Sequence, residues 1–173
     1  MKLVDVLEFF VRKVRTVNSL QDQHGEIGSI ELAIYLEKKA MEAGHKPNMT
    51  KIQKWLYICY GLYLAVYNKQ LLKERPKAWD YGPAFPTVHK QQKKNGDSLM
   101  KIRDRIAPLD LTPYDNVIDV TLKYFGDWTA SELVNWTHKK STAWDKKFNY
   151  GERYMPLENN DILVDFKELV AND

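Results

Sequence analysis

Cysteine is almost absent from this sequence: Cys59 is the only one in 173 residues. A single cysteine cannot form a disulfide within the chain. A chain of this length buries roughly two thirds of its unfolded surface, so it needs no such crosslink to fold. Because Cys59 stands in an apolar run without cationic neighbours, we expect a small buried hydrophobic residue and not a reactive thiol.

Long apolar runs and an excess of one charge are also missing. The longest apolar run, residues 55–67, is about 13 residues long, short of the roughly 20 that a helix needs to cross a membrane. The N-terminal residues lack the basic start and apolar core of a signal peptide, so we expect a cytoplasmic protein. The net charge of +3 is mild for a nucleic-acid-binding protein, so a nucleic-acid partner is not expected.

Patterns typical of catalysis, metal binding or cofactor binding are missing as well. The four histidines do not pair with cysteine or with one another at metal-ligand spacing. The sequence has no glycine-rich phosphate loop and no serine in a nucleophile elbow. We therefore expect a protein that is not an enzyme, with no catalytic residues, no metal and no cofactor.

Basic residues cluster in three stretches, within 90–94, 101–105 and 139–147, and acidic residues interrupt these stretches. Interrupted stretches of this kind are usually solvated faces of helices. A DNA-binding repressor is nevertheless an alternative, and it would be recognised by DNA binding that weakens steeply as the salt concentration rises.

Helical periodicity covers most of the chain. Residues 2–17 form an amphipathic pattern, and a polar loop follows over residues 18–28. Ser29 is of the residue type that caps helices, which predicts a helix from there to about residue 43. Thr50 and Gln53 form the pattern of a capping box, in which each side chain satisfies the other's free backbone amide.

The segment that follows this capping pattern, residues 51–68, is apolar almost all round. A helix without a polar face belongs in the middle of a bundle, so we predict that it is the central helix. A second capping box, Thr129 with Glu132, opens a helix to about Thr137. Because no segment alternates as a strand does, we predict an all-α fold: a single compact helical domain of about seven to nine helices around the buried helix 51–68.

The most unusual segment is 77–89, which holds three aromatic residues, two prolines and a glycine. Prolines restrict the backbone, so we expect a rigid, non-repetitive loop that enters a helix near Pro86. Two interpretations are open. The aromatic side chains either fill the bundle or form an exposed surface for a partner, since Trp and Tyr are frequent interface anchors.

Three segments resemble the Panacea domain, also known as the SocA-like or phage-associated GepA-like domain: Thr50–Tyr57, Gly61–Ala65 and Lys77–His89. Further matches in order and spacing are Thr129–Leu133, Thr137-His138 and Ala143-Trp144. The resemblance covers about residues 29–170. It divides the chain into an N-terminal amphipathic helix and loop, 1–28, and a Panacea-like helical domain, 29–173.

The resemblance implies an antitoxin that neutralises a toxin encoded nearby by direct protein–protein contact. One branch of the family resembles a proteolytic adaptor that delivers its toxin to the Clp protease, so an adaptor with a Clp-type protease as partner is the main alternative. The oligomeric state stays open.

Partner-binding residues are expected at or beside the family positions: Trp79, Tyr81, Phe85, Pro86, His89, His138 and Trp144. Phe85 and His89 depart from the family pattern, which commonly has a small β-branched residue and a tyrosine there. These two residues and the N-terminal helix are the first candidates for partner contact. Trp144 is expected in the core and His138 at a buried helix end.

Overall fold

The structure, a computed structural model, describes residues 26–171, with side chains as far as Lys167. The predicted helix over 2–17 lies outside the described residues. Within them are seven α-helices: α1 (Ser29–Glu42), α2 (Met49–Tyr67), α3 (Pro86–Asn95), α4 (Asp115–Phe125), α5 (Ala130–Thr137), α6 (Ala143–Phe148) and α7 (Asn159–Ala171). Two short 3-10 helices, Met100–Arg105 and Thr112–Tyr114, and a hairpin of β1 (Lys77–Trp79) and β2 (Gly82–Ala84) complete the fold.

The predicted all-α fold around a central helix is confirmed. Every residue from 51 to 64 in α2 is buried, and α1, α4, α5 and α7 pack around this helix. Cys59 is fully buried within α2, 3.2 Å from the hydroxyl of Thr121. Burial raises the pKa of its thiol to about 12, which agrees with the expected small buried residue.

The chain joins the fold before α1 begins. Ile27 donates its backbone N–H to Leu71 and accepts one from Lys73, so the segment after α2 holds the segment before α1. The prediction that Ser29 caps α1 is wrong, because Gly28 occupies the N-cap position. The hydroxyl of Ser29 instead donates to the carboxylate of Glu74.

The two predicted capping boxes had different outcomes. Thr129 and Glu132 form theirs at α5: Glu132 N–H donates to the Thr129 hydroxyl at 3.2 Å, and Thr129 N–H donates to the Glu132 carboxylate at 2.7 Å. The prediction of a capping box at Thr50 and Gln53 is wrong. Asn48 caps α2 by accepting the N–H of Lys51 at 2.9 Å, because the side chain of Gln53 is bound elsewhere.

Helix α7 packs against α2 at Gly61. A Cβ atom at this glycine would lie 2.1 Å from the ring of Phe166, closer than two carbon atoms can approach. The Phe166 ring is buried and meets the rings of Tyr57 and Trp136 edge-on, with centroids 5.6 and 5.9 Å away. The missing side chain at position 61 therefore forms the slot for this ring.

Candidate partner-binding site at the hairpin

The segment 77–84 forms a two-stranded antiparallel hairpin, so the prediction of a non-repetitive loop is wrong for this part. Its register pairs Ala78 with Pro83 and Trp79 with Gly82. Gly82 has a φ of +93°, a left-handed conformation that suits glycine, and it follows the turn residues Asp80 and Tyr81. The predicted start of a helix near Pro86 is confirmed, since α3 begins there.

Both edges of β1 are occupied. On the edge away from β2, Tyr154 N–H donates to the Ala78 carbonyl at 2.8 Å, and Ala78 N–H donates to the Met155 carbonyl at 3.0 Å. Leu157 N–H donates to the carbonyl of Pro76 at 2.8 Å. Strand β1 is thus held between β2 and the segment that precedes α7, which limits its motion.

One turn of α2 anchors the hairpin and a second loop from inside. The ammonium of Lys54 donates to the Pro83 carbonyl at 2.9 Å. Gln53 bonds both backbone groups of Phe85: its oxygen accepts the N–H at 2.7 Å and its nitrogen donates to the carbonyl at 3.3 Å. The ammonium of Lys51 donates to the Gly126 carbonyl, at the end of α4, at 2.8 Å. Three polar side chains of one helical turn therefore position two stretches of backbone.

Trp144 of α6 holds the hairpin through a hydrogen bond, and His138 stacks on Trp144. The indole N–H of Trp144 donates to the carbonyl of Trp79 at 2.7 Å, and Trp144 is buried, as expected. The ring of His138 stacks on Trp144 with the centroids 3.8 Å apart and the planes 3° from parallel. Its backbone N–H, and not its side chain, closes the end of α5.

The Nε2 atom of His138 is buried and has no hydrogen-bond partner among the described residues. Burial and the nearby positive charge of Lys54 lower the pKa of this imidazole. The ring therefore stays neutral near pH 7, and one buried polar atom beside the hairpin is left unsatisfied.

The other predicted residues lie around the hairpin but differ in exposure. Phe85 is fully buried against Tyr60, so it offers no surface in this conformation. Trp79 is half-buried and meets the ring of His89 edge-on at 5.0 Å. Tyr81, at the tip, has 77% of its side chain exposed. Tyr81 is therefore the predicted residue most available to a partner.

Two exposed residues at this site were not predicted. Tyr154 and Met155 are 52% and 53% exposed. The Tyr154 hydroxyl donates to the Asp80 carboxylate at 3.1 Å, and its ring lies 6.5 Å from that of Trp79. The hairpin surface, as we use the term, consists of Asp80, Tyr81, Tyr154 and Met155. No sequence signal joins its two halves, because more than 70 residues separate them and the pairing is made by backbone atoms.

A pocket of about 410 Å³ opens beside this surface. Its walls are aromatic, from Trp79, Tyr81, His89 and Tyr154, and the first two turns of α2 contribute Gln53 and Lys54. Within the described residues, no group of three or more His, Cys, Asp or Glu side chains is placed to hold a metal ion. In that same part of the chain, no helix is long and apolar enough to cross a membrane.

Gln53→Leu is expected to lower the free energy of unfolding by about 1–3 kcal/mol, because the N–H and carbonyl of Phe85 lose their shared partner inside the protein. Urea denaturation measures the change. Gln91→Leu on α3 is the matched control, since the side chain of Gln91 forms no hydrogen bond with the part of the chain that the structure describes. Equal effects of the two substitutions would contradict an anchoring role of Gln53.

The buried polar side chains around the hairpin, Gln53, Lys54 and Trp144, are directed at backbone groups, and three of the four exposed side chains of the hairpin surface are aromatic or apolar. That arrangement is typical of a rigid binding surface. Comparisons with curated proteins and with solved structures gave no significant match. The profile of the family described as antitoxin SocA-like, Panacea domain, matches residues 52–145, more than half of the chain, and includes the hairpin with Gln53, Lys54 and Trp144. The chain belongs to this SocA-like antitoxin family with a Panacea domain.

Proposed function

We propose that this protein neutralises a toxin by direct binding and that the toxin docks on the hairpin surface. The family supports an antitoxin role in general, and with it a toxin as partner and a role other than catalysis. The observation that carries the proposed site is the exposure of Tyr81 at the tip of a hairpin whose backbone is held by Lys54 and by the segment 154–157.

A rigid, exposed tyrosine suits an interface anchor. Tyrosine buries a large area on binding and loses little conformational entropy. The hairpin adds to this advantage. Its backbone is already ordered by the pairing of its two strands, by the segment 154–157 and by Lys54. Ordering that is present before binding does not have to be supplied by the contact with the partner.

The chemistry of the site favours binding over catalysis. Lys54 is directed at a carbonyl, His89 lies against Trp79, and His138 is stacked on Trp144. Within residues 26–167, none of these three groups is hydrogen-bonded to a hydroxyl or thiol that it could activate as a nucleophile. We therefore propose stoichiometric neutralisation.

Tyr81→Ser is expected to weaken toxin binding by about 2 kcal/mol, roughly 30-fold, without changing the fold, because an exposed anchor is lost. The test is co-expression with the product of the adjacent gene, scoring growth and co-purification. Val164→Ser on α7 is the control, since Val164 is 45% exposed and lies outside the hairpin surface. Full neutralisation by the Tyr81 variant would show that the toxin docks elsewhere.

An adaptor that delivers the toxin to a Clp-type protease is the second candidate. An adaptor needs two separate surfaces. The favouring observation is a groove of about 500 Å³ between α1 and the segment 103–111, whose apolar lining includes Ile34, Ile106 and Leu109. It shares no lining residue with the pocket beside Tyr81.

The two candidates differ in the expected effect of Leu109→Asp, since Leu109 is 55% exposed in that groove. For an adaptor, this substitution stops degradation of the toxin in cells and leaves the complex intact. For a blocking antitoxin, toxin levels and growth are unchanged. Following the toxin by immunoblot after translation is stopped distinguishes the two results.

A further inference from the structure

We propose that the pocket beside Tyr81 binds a carboxylate group of the toxin, from an acidic side chain or the chain terminus, through the ammonium of Lys54. This inference rests on the proposed function for the source of the carboxylate, but the chemistry of the pocket can be tested without a toxin.

Lys54 is a buried cation without an acidic partner. Its side chain is 2% exposed, and its ammonium donates to the carbonyl of Pro83. An ammonium group has three N–H donors, so this bond leaves donors available. Among the described residues, no acidic side chain forms an ion pair with it. Buried charges are normally paired, so Lys54 is an exception that calls for an explanation.

Two other lysines of the fold show the usual solution. Lys39 pairs with Asp119 at 3.0 Å and with Asp115 at 3.4 Å. Burial lowers the pKa of Lys51 as well, but the negative charge of Asp127 opposes this effect, and the ammonium lies over the ring of Trp55 at 4.8 Å. Burial lowers the pKa of Lys54 without an opposing negative charge. An anion from outside the chain would supply the negatively charged partner that Lys54 lacks.

The surroundings of Lys54 leave room for such a group. Lys54 lines the pocket together with Gln53 and Gly82. A Cβ at position 82 would lie 3.1 Å from the Lys54 ammonium, so the glycine keeps a side chain off this group. His138, whose Nε2 is unsatisfied, is also close enough for the charge of Lys54 to lower its pKa. The pocket volume is within the roughly 300–1,000 Å³ of ligand sites.

The one acidic residue of the lining does not reverse this preference. Asp80 is exposed, and its carboxylate accepts the hydroxyl of Tyr154 at 3.1 Å. Water screens an exposed charge, whereas a buried charge acts through a medium of low dielectric constant. The buried ammonium of Lys54 therefore determines which charge the pocket prefers. It would repel a cationic group and attract an anionic one. The aromatic walls favour an acid that carries an apolar or aromatic part.

The chemistry is tested with benzoate, and with benzamide as its neutral analogue. Each is titrated into the ¹⁵N-labelled full chain while the indole N–H of Trp79 and the amide of Gly82 are followed by NMR. We expect saturable shifts with benzoate and affinity at least about tenfold above that for benzamide. The shifts should be lost in Lys54→Met and in Lys54→Gln, which keeps a donor for Pro83, and retained in the control Lys51→Met.

Equal binding of benzamide, retention of benzoate binding by Lys54→Gln, or the absence of saturable shifts would each overturn the proposal. The source of the carboxylate is tested by co-expressing Lys54→Gln with the toxin, where we expect co-purification to fall at least about tenfold. Normal neutralisation by this variant, together with benzoate binding by the wild type, would assign the pocket to a free small acid and overturn the toxin as its source. Failure of the proposed function itself would appear as neutralisation by Tyr81→Ser, with the benzoate result unchanged.

Discussion

Lys54→Met should make the free protein more stable at and below pH 7, by about 2–4 kcal/mol. Burial lowers the pKa of Lys54 from 10.5 to about 7, a difference that corresponds to about 5 kcal/mol at roughly 1.4 kcal/mol per pH unit. Methionine fills a similar volume without a charge. It leaves the carbonyl of Pro83 without its donor, which costs about 1–3 kcal/mol.

The gain from this substitution should depend on pH. Between pH 7 and 10.5 the unfolded chain holds a proton on Lys54 that the folded protein has released, so wild-type stability rises with pH through this window. Below pH 7 both states hold the proton, and the full penalty applies. The advantage of the methionine variant should therefore shrink as the pH rises above 7, and it should reverse once the amine is neutral in both states.

Urea denaturation of the wild type and the variant at pH 7, 8 and 9 measures this difference. The lower limit avoids titration of His138, and the upper limit avoids the Cys59 thiol, whose raised pKa lowers stability above pH 9 as the unfolded thiol ionises. The exposed Lys90→Met is the control and should show no trend. A constant difference between Lys54→Met and the wild type would mean that Lys54 carries no buried charge. If Lys54→Met is more stable than the wild type but does not bind the toxin, Lys54 lowers stability and contributes to binding.

Gly61→Ala is expected to destabilise the protein by about 2–4 kcal/mol, although alanine is by far the better helix former. The added methyl group would occupy the position of the Phe166 ring, which lies 2.1 Å from the Cβ site. The ring must leave its slot, and α7 loses a buried aromatic contact with the central helix. Thermal or urea unfolding measures the loss.

A double-mutant cycle identifies the cause. In a Phe166→Ala background the slot is empty, so the same change at position 61 should be neutral or should stabilise by about 1 kcal/mol through helix propensity. If Gly61→Ala costs the same in both backgrounds, the cost does not come from the Phe166 ring.

The sequence predicted what is decided locally. The central helix follows from an apolar pattern that continues all round, and the capping box of Thr129 and Glu132 needs only residues of one helical turn. The capping box at Thr50 failed because Gln53, which has the right type and spacing, is bound to Phe85, 32 residues away. Asn48, two residues earlier, also has a capping side chain and occupies the position.

The site was harder to predict, because strands of three residues are too short to show alternation. The exposure of the aromatic residues depends on the tip of the hairpin. Tyr81 lies at the tip and faces solvent, whereas Phe85 stands four residues later, where the chain has returned to the core. Tyr154 joins this surface through backbone pairing with β1, which depends little on side-chain type.

The turn of α2 that holds two stretches of backbone has a consequence for how relatives of this protein diverge. Gln53 and Lys54 lie within the part of the chain that matches the family, and their hydrogen bonds go to the backbone of the protein. Among the described residues, the exposed side chains at positions 80, 81, 154 and 155 bond no backbone group. Two chains that share the recognisable turn can therefore bind unrelated proteins, and the family signature identifies the architecture of an antitoxin without identifying its toxin.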